Sequence, residues 1–165
     1  MTSTSANDTA TQLDGQVASY VSDLEKLPGS QRLSESSLAT VYAMACTLLQ
    51  SGQLQQASAY FSFLLLYAPT HPDYLCARAS CAIQEDDLPL AVDLLSLALY
   101  VKPTSCVIAL ALAEALVGTG AVEAARQILL LLLRLARPPE DASVLARAEL
   151  LLHSLNSEQA HHANT

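Results

Sequence analysis

Between residues 38 and 139 the alternation of apolar runs and polar breaks keeps a step of 34 residues. The stretch AYFSFLLLYAPT from Ala59 is echoed by DLLSLALYVKPT from Asp93, with a serine at the same place and Pro-Thr at the end. Pro69 and Pro103 are 34 apart, and Ala57, Ala91 and Ala125 share the interval with the turn positions Gly52, Asp86 and Gly120. Three units follow, Leu38 to His71, Pro72 to Ser105 and Cys106 to Pro139, each with a first helix, a tight turn, a second helix and a terminating proline.

A 34-residue period is the length of a helix-turn-helix repeat of the tetratricopeptide type, in which stacked units build one continuous core. The repeated alanine suits this arrangement, because a small residue early in the second helix lets its backbone approach the first. Proline ends the second helix because it has no N–H to donate and clashes with the preceding turn. In the third unit Arg137 stands where that proline is expected and Pro138 and Pro139 follow, so a displaced stop is predicted there.

The flanks carry their own patterns. Residues 1–12 are small and polar and are expected to be disordered. From 13 to 27, Leu13, Val17, Tyr20, Val21, Leu24 and Leu27 follow helical spacing and predict an amphipathic helix that stops before Pro28-Gly29. It has no place in the repeat stack, so its stripe covers either the convex surface or a second protomer. The polar linker SQRLSESS offers Ser34 or Ser36 as the cap of the next helix. After the third repeat, Val144, Leu145, Ala148, Leu151, Leu152 and Leu155 predict a capping helix over 141–155 that hides the end of the stack. A disordered tail, 156–165, follows, in which His161 and His162 are expected to be solvated. The fold class is all-α, a tetratricopeptide-repeat superhelix of three units with an extra helix at each end.

Composition narrows the function. Hydrophobic residues make up 52% of the 165 and charged ones only 15%, well under the usual quarter. Such a surface exposes more apolar area than a solitary protein needs and points to a partner. The net charge of −8 disfavours nucleic acid, whose phosphates need a basic face, and disfavours an anionic membrane surface. The apolar runs 106–113 and 128–133 are far shorter than the roughly 20 residues of a membrane span, so no membrane insertion is expected. The first residues have neither a basic nor an apolar signal region, so the chain is expected to stay in the cytoplasm.

Stacked repeats of this class bind along the concave face lined by their first helices. Counting from the start of each unit, the inward places are the second, fifth, ninth, twelfth and thirteenth. They hold Ala39, Tyr42, Cys46, Leu49 and Gln50; then Asp73, Cys76, Ser80, Ile83 and Gln84; then Val107, Leu110, Glu114, Val117 and Gly118. No cluster of Lys, Arg or Asn is among them, so a clamp for a peptide carboxylate is not expected. Tyr42, Leu49, Ile83, Leu110 and Val117 instead form an apolar trough, with Gln50, Gln84 and Glu114 as polar edges, suited to an extended segment with spaced apolar side chains.

Catalysis has no support from motif or spacing: there is no phosphate-binding glycine loop, nucleophile elbow or HExxH pattern. Cys46, Cys76, Cys81 and Cys106 are read as small buried hydrophobes. Cys76 and Cys81 are turned about 500° from each other along one helix, unlike the short cysteine loops of zinc sites. Neither a metal nor a cofactor is expected.

SSLATVYAMACTLLQSGQLQQASAYF, Ser36 to Phe61, resembles the first repeat of the class II chaperones of bacterial type III secretion systems, the LcrH/SycD family. ARASCAIQ, Ala77 to Gln84, is similar to part of its second repeat, with Ser80-Cys81 where the family has Ala-Cys. The likeness runs over roughly 13–155. It implies a bacterial cytoplasmic chaperone, not an enzyme, that holds hydrophobic translocator proteins before export, binds a short extended segment of them in the concave groove, and forms a homodimer through its N-terminal region. By position, the family's groove-lining aromatic places fall on Tyr42, Cys46 and Leu49, and only Tyr42 keeps a ring. A chaperone of a needle or early export component, or a repeat adaptor outside secretion, are the alternatives.

Overall fold

The computed structural model describes residues 33–162 and contains seven helices among them: α1 (Glu35–Gln50), α2 (Leu54–Tyr67), α3 (Pro72–Gln84), α4 (Leu88–Val101), α5 (Cys106–Gly118), α6 (Val122–Leu135) and α7 (Ala142–His162). The expected disordered start and the helix predicted over 13–27 lie outside the described residues. Each helix packs on its neighbours in chain order, and α7 also touches α5.

The 34-residue step is visible in the backbone itself. Second helices begin at residues 54, 88 and 122 and end at 67, 101 and 135. Gly52, Asp86 and Gly120 all take positive φ, of 77°, 62° and 79°. At each turn the same two bonds close the first helix: Gly52 N–H to Leu49 O and Gln53 N–H to Leu48 O recur at Asp86 and Asp87 and at Gly120 and Ala121. This left-handed cap satisfies carbonyls that a helix end leaves without a partner. Glycine meets it without strain, and aspartate is among the few other residues that tolerate it. Ser34 caps α1 by accepting from Ser37 N–H.

Packing follows the same register. Ala57, Ala91 and Ala125 are fully buried, as the shared alanine predicted, and so are Ala45, Ala79 and Ala113 on the first helices. Paired small residues let the two helices of a unit approach closely. Phe61, Leu95 and Leu129 then fill the space one turn further on. Full burial of each such side chain contributes about 1.5 to 3 kcal/mol. One cluster runs through repeats two and three into α7, and a second joins repeat one to Tyr74, Ala77 and Cys81 of α3.

Two expectations are corrected. The stop of the third unit is not displaced: α6 ends at Leu135, in register with Tyr67 and Val101. Pro138 forces the residue before it out of helical backbone, and Ala136 is already extended at φ −63°, ψ 139°. The last helix does not stop at Leu155 but runs to His162, so the tail expected to be loose from 156 is helical that far. No proline or glycine interrupts this stretch, and Arg126 of α6 donates to Asn156 Oδ1, tying α7 down beyond the predicted end.

Candidate functional site

The first helices α1, α3 and α5 place the predicted trough residues at three stations. At the first, Tyr42 is half-buried, its ring centroid 5.9 Å from that of Phe61 and 5.3 Å from that of Tyr74. His71 stacks on Tyr74 with ring centroids 4.0 Å apart. Burial, then the neighbouring Cys46 thiol and Asp73, push the Tyr42 hydroxyl up to about 12. Cys46 and Leu49 are half-buried against the repeat-one core, and Gln50 is exposed at the end of α1.

The second station is a crevice between α3 and α5 of about 150 Å³. It is lined by Cys76, Ala79, Ser80 and Ile83 from α3 and by Val107, Ile108 and Ala111 from α5, with Leu95 at its base. Ser80 donates its hydroxyl to Cys76 O at 3.0 Å, so its polar atom is satisfied by its own helix. None of the lining residues is charged. Ile83 and Val107 flank it with 41% and 64% of their surface open. Burial, then Asp73, raises the Cys76 thiol. Gln84 is exposed one residue beyond.

The third station lies between α5 and α7, a cavity of about 470 Å³ lined by Glu114, Val117, Arg147, Leu150, Leu151 and Ser154. Arg147 Nε pairs with Glu114 Oε1, and Ser154 donates to Leu151 O. Leu150 is left largely in solvent.

Tyr42 with Cys46, Cys76 with Ser80 and Ile83, and Glu114 with Val117 are thus each brought together. Leu110 is different. Only 8% of its surface is open and it belongs to the core, so it has little area to offer a ligand. Glu114 is not a free polar edge, because Arg147 occupies it. Gly118 faces α4 closely: a Cβ there would stand 2.8 Å from Leu88 Cδ1. Sequence reasoning left out Ala111 and the α7 residues Arg147, Leu150 and Leu151, and it gave Val107 no special weight. Val107 carried a signal, being an apolar residue at an inward place of its unit. Leu150 lies beside the stripe read as buried, which was the hint that α7 has a second apolar edge.

Among solved structures, the chain is similar to the Yersinia enterocolitica type III secretion chaperone SycD in complex with a peptide of the translocator YopD. The TM-score is 0.73 at 21% identity, over 78% of this chain and 99% of that one. A type III secretion complex from Aeromonas hydrophila gives 0.77 at 20% identity, over 88% and 98%. The first tetratricopeptide domain of Spaghetti (RPAP3), bound to the HSP90 peptide SRMEEVD, gives 0.69 at 14% identity, over 79% and 98%. The fold is a tetratricopeptide-repeat superhelix. No protein-family model and no curated protein matches the sequence. In the tetratricopeptide frame the three stations lie along the face made by first helices, with α7 extending that face past the third repeat. No described helix is long and apolar enough to cross a membrane.

Proposed function

We propose that this chain is a bacterial cytoplasmic type III secretion chaperone that acts by binding alone, holding an extended apolar segment of a translocator along its first-helix face. The observation that carries the reading is the crevice between α3 and α5. Its lining is uncharged, its one hydroxyl is satisfied internally, and Ile83 and Val107 stand open on either side. An apolar side chain entering it gains burial without stranding a polar group.

The two kinds of neighbour make a useful contrast. SycD is seen with a peptide of a translocator, and the RPAP3 domain with the acidic peptide SRMEEVD. Carboxylates leave water only when charge-assisted donors replace it. On the stations described here the single cation is Arg147, and Glu114 already holds it. An acidic ligand therefore finds no free cation, whereas an apolar one finds apolar side chains at all three stations. The open hydrophobic surface and the net charge of −8 fit a protein that shields an apolar client and keeps the complex dispersed.

The test is a titration of the full chain with a fluorescent peptide from the translocator encoded in the same genome, beside SRMEEVD as the counter-probe. The translocator peptide should bind and the acidic one should not. Binding of SRMEEVD, or failure of the translocator peptide while the protein is folded, overturns the reading.

A further inference from the structure

The 34-residue step allows one helix face to be compared across the three units. On α3, Tyr74, Leu75 and Cys81 are buried, and Arg78 donates its Nε to Ser62 Oγ of α2 at 3.2 Å. That face therefore looks at the second helix of the preceding unit. On α5 the corresponding Ile108, Ala109, Leu112 and Ala115 are buried as well. On α1 the same places hold Thr40, Val41, Met44 and Thr47. Val41 is half-buried against the repeat-one core, but among the described residues nothing covers the other three: Met44 is 50% exposed, and both threonines are open. Their hydroxyls are already used, Thr40 donating to Ser36 O and Thr47 to Ala43 O, so what they present outward is apolar. Beside them Val41, Ala59, Tyr60 and Phe63 line a cleft of about 360 Å³ between α1 and α2.

We infer that residues 13–27 of this same chain occupy that face, standing in for the second helix of a unit that the stack does not otherwise have. Leu13, Val17, Tyr20, Val21 and Leu24 are spaced 4, 3, 1 and 3 apart, as are Ala57, Phe61, Leu64 and Leu65 of α2 and Ala68 at its C-cap. The segment thus carries the apolar pattern by which a second helix packs in this protein. The chain also delivers it to the right place. Six residues, Pro28 to Leu33, join it to the cap of α1 and reach at most about 20 Å, while Val41 lies about 10 Å along α1 from Ser34 at the helical rise. Leu33 already packs against the repeat-one core, so the chain enters along this end. A segment tethered this closely competes at a high effective concentration with a second copy or a client for the same surface. The inference stands whatever the concave face binds.

The experiment is hydrogen exchange on the full chain at two protein concentrations, read over peptides spanning 13–27 and 38–48, with sedimentation velocity alongside. Both regions should exchange slowly in the monomer, to the same extent at both concentrations. Val21→Asp, outside the repeats, should abolish protection of 13–27 and speed exchange over 38–48 while the melting of the repeats persists. Phe63→Asp, on the face, should release 13–27 in the same way. The inference is overturned if 13–27 exchanges like an unstructured chain. It is equally overturned if protection grows with concentration in step with dimer, which makes a second copy the occupant. Protection of 38–48 that appears only with the translocator peptide makes the client the occupant, and protection of 13–27 that survives Phe63→Asp places the segment elsewhere.

Discussion

Arg147 on α7 pairs with Glu114 on α5, across 33 residues of sequence. The pair lines the cavity together with Val117, Leu150, Leu151 and Ser154, and so the C-terminal helix adds a wall to the face of first helices as well as capping the stack. With Arg147 69% and Glu114 36% exposed at the side chain, water screens the attraction. A double-mutant cycle of Arg147→Ala and Glu114→Ala, read by urea unfolding, should give a coupling of about 0.2 to 1 kcal/mol that shrinks in high salt. A coupling several times larger would mean the pair is desolvated and holds α7 in place.

The repeated alanines set a second expectation. Ala91 is fully buried in register with Ala57 and Ala125, and a larger side chain there must push α3 and α4 apart. Ala91→Leu should cost about 1 to 3 kcal/mol, whereas Ala124→Leu, at an exposed place on α6, should be close to neutral. Equal melting temperatures for the two variants would contradict this packing.

What could be seen in the sequence was whatever recurs. Turns that need a left-handed residue and helix pairs that need a small one impose nearly the same residue at each step, so Gly52, Asp86, Gly120 and the three alanines announced themselves. Ala45, Ala79 and Ala113 obey the same step and could have been found with it. Contacts made once have no such signature. Nothing periodic links Arg147 to Glu114 or Arg126 to Asn156, and those are the contacts that extend α7 and complete the third station. Cys76, Ser80 and Ile83, counted as inward places, share one crevice. At Leu110 counting failed, because α5 carries buried residues nearly all round and no face of it can be told from its sequence.

The turns offer a test that packing does not confuse. A Cβ at Gly52 or Gly120 would meet nothing within 4 Å, so substitution there is felt only through the positive φ. Gly120→Ala should destabilise by about 1 to 2 kcal/mol. Asp86→Gly, which relaxes the non-glycine member of the three turn positions, at φ 62°, should cost less or stabilise. Denaturant midpoints of the two variants are the measurement, and the opposite order would refute the account of the turn.

Alkaline pH should report on the first station. The Tyr42 hydroxyl is raised to about 12 by burial first and by Cys46 and Asp73 after it, against about 10 in an unfolded chain. The folded state therefore keeps its proton where the unfolded state gives it up. The contribution to stability is whole below pH 10 and is lost as pH rises to about 12. Tyr74 is shifted in the same direction, chiefly by burial. Tyr42→Phe removes one of these protons, so its stability should fall less steeply than that of the wild type across this window, and identical slopes would show that Tyr42 does not titrate there.

Client binding should separate open side chains from buried ones. Ile83 and Val107 flank the crevice in solvent, so Ile83→Asp and Val107→Asp should leave the fold intact and weaken the translocator peptide by at least about tenfold, since a charge in an apolar site loses its water without a partner. Leu110→Ala acts on the core instead, with an expected cost of about 2 to 5 kcal/mol of stability and no loss of affinity in the fraction that stays folded. Gln127→Ala, exposed on α6, should do neither. Because the lining is uncharged, affinity should change little between low and high salt, where a charge-steered complex would weaken steeply. Titrations of the four variants at two ionic strengths, with unfolding curves beside them, decide the matter: full binding by Ile83→Asp and Val107→Asp, or loss of binding in salt, would move the client off the crevice between α3 and α5.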